Sequence, residues 1–150
     1  MLILNLTFNG KLSAQRFKSS DQVKAYFYQL DDSFNISMVS KDSLFFVRVL
    51  SDNFINCTPI GEINNKKEEI GTLLHLPLTK VESVASQFDL FIYSEAIATL
   101  SIIKKLTWKD GHIGNVRRTI VHQLKNGKWE IVSGQGTNVL PKYVEGTIKI

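Results

Sequence analysis

One change of rhythm constrains this chain more than any other feature. Apolar residues recur at helical spacing up to about Leu74, and from Val81 onward they recur at every second position. In the first half, Ser19 with Gln22 three residues later has the pattern of a capping box. Val23, Phe27, Leu30 and Phe34 then follow in steps of four, three and four, one stripe along a helix. Ser40-Lys41-Asp42 is a second start signal, leading into Leu44, Val47 and Leu50 and a short helix that ends near Ser51-Asp52. The segment from Asn53 to Thr58 reads as a brief strand, stopped by Pro59 and Gly61. Asn64 or Asn65 caps a third helix with Glu68 and Glu69 in its first turn, where carboxylates suit the helix dipole. Its expected inner face is Ile70, Leu73 and Leu74, and Pro77 ends it.

In the second half, Val84, Ser86, Phe88, Leu90 and Ile92 fall on one face of an expected strand. Ala96, Ala98, Leu100, Ile102 and Leu106 fall on one face of the next, across a turn at Ser94-Glu95. Asp110-Gly111 and Asn126-Gly127 are hairpin signals, because those residues tolerate the positive φ of tight turns. They bracket a third long strand around residues 114–124 and open a fourth around 128–138. Helices followed by long antiparallel strands define an α+β domain. Strongly twisted strands would curl such a sheet around the helices and leave a conical pocket. The expected domain spans residues 21–150. Residues 1–20 form either a tail or an edge strand, since Leu2, Leu4, Leu6 and Phe8 alternate and end at Asn9-Gly10.

Composition bounds the rest. A chain of 150 residues with 43% hydrophobic and 21% charged content fits one domain with one core. Cys57 is the only cysteine, so no intramolecular disulfide forms, which is compatible with a reducing cytoplasm. The apolar start lacks a basic n-region, making a poor signal peptide, and no stretch reaches the ~18 apolar residues of a membrane helix. A cytoplasmic location is therefore expected, and the sequons at Asn5, Asn35 and Asn56 read as chance matches. The net charge of +4 is scattered rather than clustered, so neither nucleic acid nor membrane is an expected partner.

Residues from about 21 to 139 resemble the SnoaL-like branch of the nuclear transport factor 2-like superfamily. The resemblance is carried by the segment from Leu50 to Gly61 and by the C-terminal hairpin, with Arg117-x-Thr119-x-Val121, Gly127, Trp129-x-Ile131 and Gln135-x-Thr137. It implies a cone-shaped, cystatin-like roll, with three N-terminal helices on a curved, mainly antiparallel sheet. It also implies a pocket inside the cone and a homodimer formed through the sheet. The superfamily mixes isomerases, cyclases, dehydratases and transport adaptors, so the fold does not settle function.

Two landmark positions of the ketosteroid isomerases have lost their chemistry here. The residue before the strand-closing proline, an acidic base in those enzymes, is Thr58, and the helix-one tyrosine donor corresponds to Phe34. The remaining acid–base candidates are His122, in the third long strand, and Asp89, in the first. Strand alternation groups His122 with Arg118 and Ile120, on a face that is either pocket or outer surface. Tyr26, Phe34, Phe54, Thr58, Trp108 and Gln135 are the expected pocket residues. The three histidines, His75, His112 and His122, make no metal-ligand spacing, so neither metal nor cofactor is expected. The expected function is binding of a small apolar ligand in the cone. The alternative is an isomerase, cyclase or dehydratase using His122 with Asp89.

Overall fold

The computed structural model describes residues 20–144. The alternating Leu2–Phe8 segment, Asn5 and Ser19 of the expected capping box lie outside them. Helix α1 (Ser20–Ser40) buries Phe27, Asp31, Phe34, Asn35 and Met38, a stripe that winds along one face at helical spacing. Lys41 closes it with a positive φ of 62°, and the Asp42 amide returns to the Ser37 carbonyl at 3.1 Å. Asp42 at once caps α2 (Ser43–Val49), its carboxylate accepting from the Phe45 amide at 3.0 Å.

The α2 face differs from the expected one. Phe46 and Val49 are buried, whereas Leu44 and Val47 are 70% and 50% exposed. Seven residues make barely two turns, and the packing of Phe45 and Phe46 against Phe34 fixes the rotation about the helix axis instead. Strand β1 (Leu50–Cys57) follows without a gap, so Leu50 is a strand residue. The hairpin partner β2 (Ile63–Asn65) leads into α3 (Lys66–His75). Asn65 and Glu68 form a full capping box there. On α3, Leu73 and Glu69 are buried, with Ile70 and Leu74 packed at the margin of the core.

The sheet runs β2-β1-β7-β6-β5-β3, where β3 is Leu78–Ser83, β5 Ile97–Trp108, β6 Ile113–Lys125 and β7 Lys128–Asn138. Among the described residues only the β1–β7 pair is parallel. Both hairpin turns occur where expected, with positive φ at Gly111, Asn126 and Gly127. The expected continuous strand over 84–92 is instead split. β3 pairs with 104–108 of β5, β4 (Asp89–Ser94) pairs with 97–101, and a single 3-10 turn over Ala85–Gln87 bridges them. The alternation of Val84, Ser86 and Phe88 is thus a coincidence of a chain detouring around Ile102 and Ile103. Helices α1, α2 and α3 cover one face of this sheet, and the core of Phe27, Phe34, Phe46, Leu100, Ile102 and Trp129 lies between.

Candidate functional site

Strand register assigns every side chain of the sheet to one of two faces, because opposed residues share a face and successive residues alternate. His122 opposes Ala98, which opposes Ile92. This is the helix-covered face, together with Leu100, Ile102, Lys104 and Leu106 of β5 and Val116, Arg118 and Ile120 of β6. Asp89 opposes Ser101, which opposes Thr119, which opposes Gln135. That is the open face. His122 and Asp89 therefore stand on opposite sides of one sheet, and the expected acid–base pair does not form. Gln135 is likewise exposed on the open face and lines no interior space.

His122 is 2% exposed, its ring in an edge contact with Phe27 at 4.8 Å, and Phe27 in turn meets Trp129 at 5.1 Å. Its Nδ1 has no hydrogen-bond partner among the described residues. Burial drives its pKa down from 6.5 to about 4, opposed by the nearby Asp31 carboxylate and a hydrogen bond with the Ile120 backbone. The imidazole is neutral at pH 7.

Beside this apolar end lies a layer of charge. Lys104 and Asp31 form an ion pair at 2.6 Å with side chains 4% and 3% exposed. Asn35 accepts from Lys104 and donates to Ser83 at 2.9 Å, and Ser83 donates to Asp31. The Lys104 ammonium also stands over the Phe34 ring, 5.4 Å from its centre. Burial lowers the Lys104 pKa, Asp31 opposes that fall, and Arg118 adds to it by like-charge repulsion.

A second group is built around Glu69. Its Oε2 accepts from Asn56 at 2.9 Å and from Asn64 at 3.1 Å, while Oε1 faces Arg118 Nη2 at 3.7 Å. Arg118 Nη2 donates to Asn56 Oδ1 at 3.4 Å. Burial lowers the Arg118 pKa, and Glu69 and Asp31 oppose that, so the guanidinium keeps its charge. Both asparagine sequons covered by the structure, Asn35 and Asn56, are enclosed in these networks. Two glycines of β7 make the room. A Cβ on Gly134 would stand 2.8 Å from Asn56 Oδ1 and 3.1 Å from Arg118 Nη2, and one on Gly136 would meet the Pro59 ring at 2.8 Å.

The other sequence candidates are scattered. Phe34 and Phe54 are core residues. Tyr26 is half-buried against Phe27, and its burial raises the phenol pKa. Trp108 lies over Gly114 beside His112, at the turn end of β5. Thr58 spends its hydroxyl on the Glu62 amide at 3.0 Å, holding the β1–β2 turn. Missed altogether were Asp31, Asn35, Glu69, Lys104 and Arg118 as one interior set. The signal was phase: Lys104 falls in register with Ala98, Leu100, Ile102 and Leu106, and Asp31 and Asn35 fall in register with Phe27 and Phe34. A charge in phase with an apolar face is a buried charge. Among the described residues no cluster of side chains has a metal-binding arrangement, and no helix is long and apolar enough to cross a membrane.

No protein-family model and no curated protein matches this chain. Solved structures do. A nuclear transport factor 2-like protein from Cytophaga hutchinsonii is 16% identical, with a TM-score of 0.69 over 77% of this chain and 98% of its own. A protein of unknown function with a cystatin-like fold from Nostoc punctiforme is 16% identical, with a TM-score of 0.66 over 83% and 97%. The association domain of C. elegans CaMKII is 15% identical, with a TM-score of 0.61 over 78% and 93%. The chain thus has the nuclear transport factor 2-like, cystatin-like fold.

Proposed function

We propose that the domain binds a small molecule with an apolar body and a compact anionic head, between α1, α3 and the sheet, without transforming it. The observation that carries this reading is Arg118. Its guanidinium has five donors, yet its contacts among the described residues are one long hydrogen bond to Asn56 and one loose ion contact to Glu69. Its side chain keeps 17% of its exposure, so solvent reaches it. Ile102, Val116 and Ile120 flank it on the same face, packed into the core, so the surroundings of the guanidinium are apolar. A carboxylate meeting the planar fork gains two charge-assisted hydrogen bonds. The alternative, an isomerase, cyclase or dehydratase, has lost its supposed pair to opposite faces. Glu69 Oε2 is meanwhile occupied by two amides.

The test is calorimetry of alkyl and aryl carboxylates against primary amides of equal size, on the wild type and Arg118→Gln. Carboxylates should bind the wild type better, and the substitution should weaken them by roughly 10-fold to 100-fold while leaving the amides unchanged. Equal binding of acids and amides, or of wild type and variant, would refute the assignment.

A homodimer through the open face is part of the same proposal. Thr99, Ser101, Thr119, Val121 and Ser133 give part of that face short side chains, and Ile55 adds an apolar residue 50% exposed. Sedimentation equilibrium should give the mass of two chains, and a monomer at tens of micromolar would remove the dimer.

A further inference from the structure

We propose that Asn126, at the tip of the β6–β7 hairpin, is a self-modifying site, where spontaneous loss of ammonia turns the asparagine into aspartate and isoaspartate. Among residues 20–144 it is the one asparagine followed by glycine, and every other is followed by a residue with a side chain. Glycine leaves its amide nitrogen open to approach, because no Cβ stands beside it. Asn126 is exposed, and the turn holds it and Gly127 at φ of 52° and 76°. A two-residue loop of this kind spends the amides and carbonyls of Lys125 and Lys128 on each other and leaves the Gly127 nitrogen outside the ladder. Among the described residues neither that amide nor the Asn126 carboxamide has a hydrogen-bond partner.

The β5–β6 turn shows what protects a glycine amide. There Gly111 donates to the Trp108 carbonyl at 3.0 Å and the Asp110 carboxylate accepts from the His112 amide at 2.9 Å, so both groups are engaged. The carboxamides of Asn56 and Asn64 are likewise held, both donating to Glu69 inside the fold. At Asn126 nothing of the kind intervenes. The Gly127 nitrogen attacks Cγ, forming a C–N bond as the bond from Cγ to the amide nitrogen breaks, and ammonia departs with the Gly127 amide proton. Water then opens the five-membered imide. Opening at Cγ gives aspartate, and opening at the main-chain carbonyl carbon gives isoaspartate, whose chain runs through the former side chain. Ring closure requires the turn to relax, and the exposed end of a hairpin opens at small cost. Either product places a carboxylate between Lys125 and Lys128, two like charges opposed in register. Isoaspartate also adds a methylene to the main chain of a loop whose length sets the strand register. The next pair inward is Leu124 with Trp129, and Trp129 is 6% exposed, so the change acts on the hairpin end that buries this ring. This chemistry is separate from Arg118 and does not depend on the ligand reading.

Peptide mapping by mass spectrometry tests it, on the full chain kept folded at mildly alkaline pH for several weeks and on the same chain in urea. The peptide containing Asn126 should gain one mass unit in both and separate into two forms, and the folded protein should lose one positive charge on ion exchange. Gly127→Ala should slow the gain on the order of 10-fold, since a methyl group then stands beside the attacking nitrogen. Asn126→Asp should show no gain in this peptide. In the isoaspartate fraction the amides of Leu124 and Trp129 should exchange hydrogen faster than in Asn126→Asp, on the order of 10-fold. An Asn126 peptide that keeps its mass in the folded protein while gaining in urea would overturn the proposal, because the fold would then protect the turn. A gain indifferent to Gly127→Ala, or isoaspartate chains with unaltered exchange, would overturn it as well.

Discussion

Lowering the pH from 7 to 4 forces a proton onto an imidazole that the fold keeps neutral. His122 has a folded pKa of about 4 against 6.5 for the free side chain, and burial against Phe27 and opposite Ala98 is the main cause. The folded value lies below the unfolded one, so the unfolded chain binds more protons between the two. The contribution to stability is therefore complete above pH 6.5 and is lost as the pH falls toward 4. At about 1.36 kcal/mol per tenfold ratio, the gap corresponds to roughly 3 kcal/mol. With an m-value of about 2 kcal/mol/M, that moves a urea midpoint by roughly 1.5 M. Carboxylates titrate in the same range, so the measurement is a difference: urea midpoints of wild type and His122→Gln from pH 4 to pH 7. The wild type should lose about 3 kcal/mol more than the variant over that interval, and the imidazole resonances should titrate near pH 4. Parallel pH curves for the two proteins, or a titration midpoint near 6.5, would refute the reasoning, because the ring would then be solvated in the folded state.

Two further predictions concern the interior. Lys104→Met alone strands the Asp31 carboxylate in the core and should cost about 3–5 kcal/mol in urea unfolding. Adding Asp31→Leu to it should recover most of that loss, whereas strictly additive losses would mean the two charges are not paired. Gly134→Ala drives a methyl group into Asn56 and Arg118 and should cost roughly 1–3 kcal/mol. Gly71→Ala in α3, where a methyl group meets no atom within 4 Å, should be neutral or stabilise by up to about 1 kcal/mol. Equal thermal shifts for the two alanines would contradict the packing described around Gly134.

Local chemistry was legible wherever it acted within a few residues. The start of α3 at Asn64 or Asn65, the turns at Gly111 and Gly127, and the spans of β6 and β7 were all readable because their hydrogen bonds and φ angles are decided by near neighbours. The failures were of another kind. Leu44 and Val47 have regular helical spacing, but α2 is too short for spacing to outweigh the anchoring of Phe45 and Phe46 on Phe34. The strand expected over 84–92 broke because its two halves pair with separate stretches of β5, a long-range condition that alternation cannot encode.

What the sequence by itself determined is the α+β class, the order of the three helices and the C-terminal hairpins, since these rest on periodicity and on turn residues with local conformational needs, whereas β2 and β3 were not read. Only the tertiary structure decided the site. Alternation divides each strand into two faces without saying which one the helices cover, and that choice is made by packing between distant segments. Once α1 and α3 settle on the sheet, His122, Lys104 and Arg118 turn inward toward Asp31 and Glu69. Asp89 and Gln135 turn outward, because a one-residue difference in phase is a difference of face.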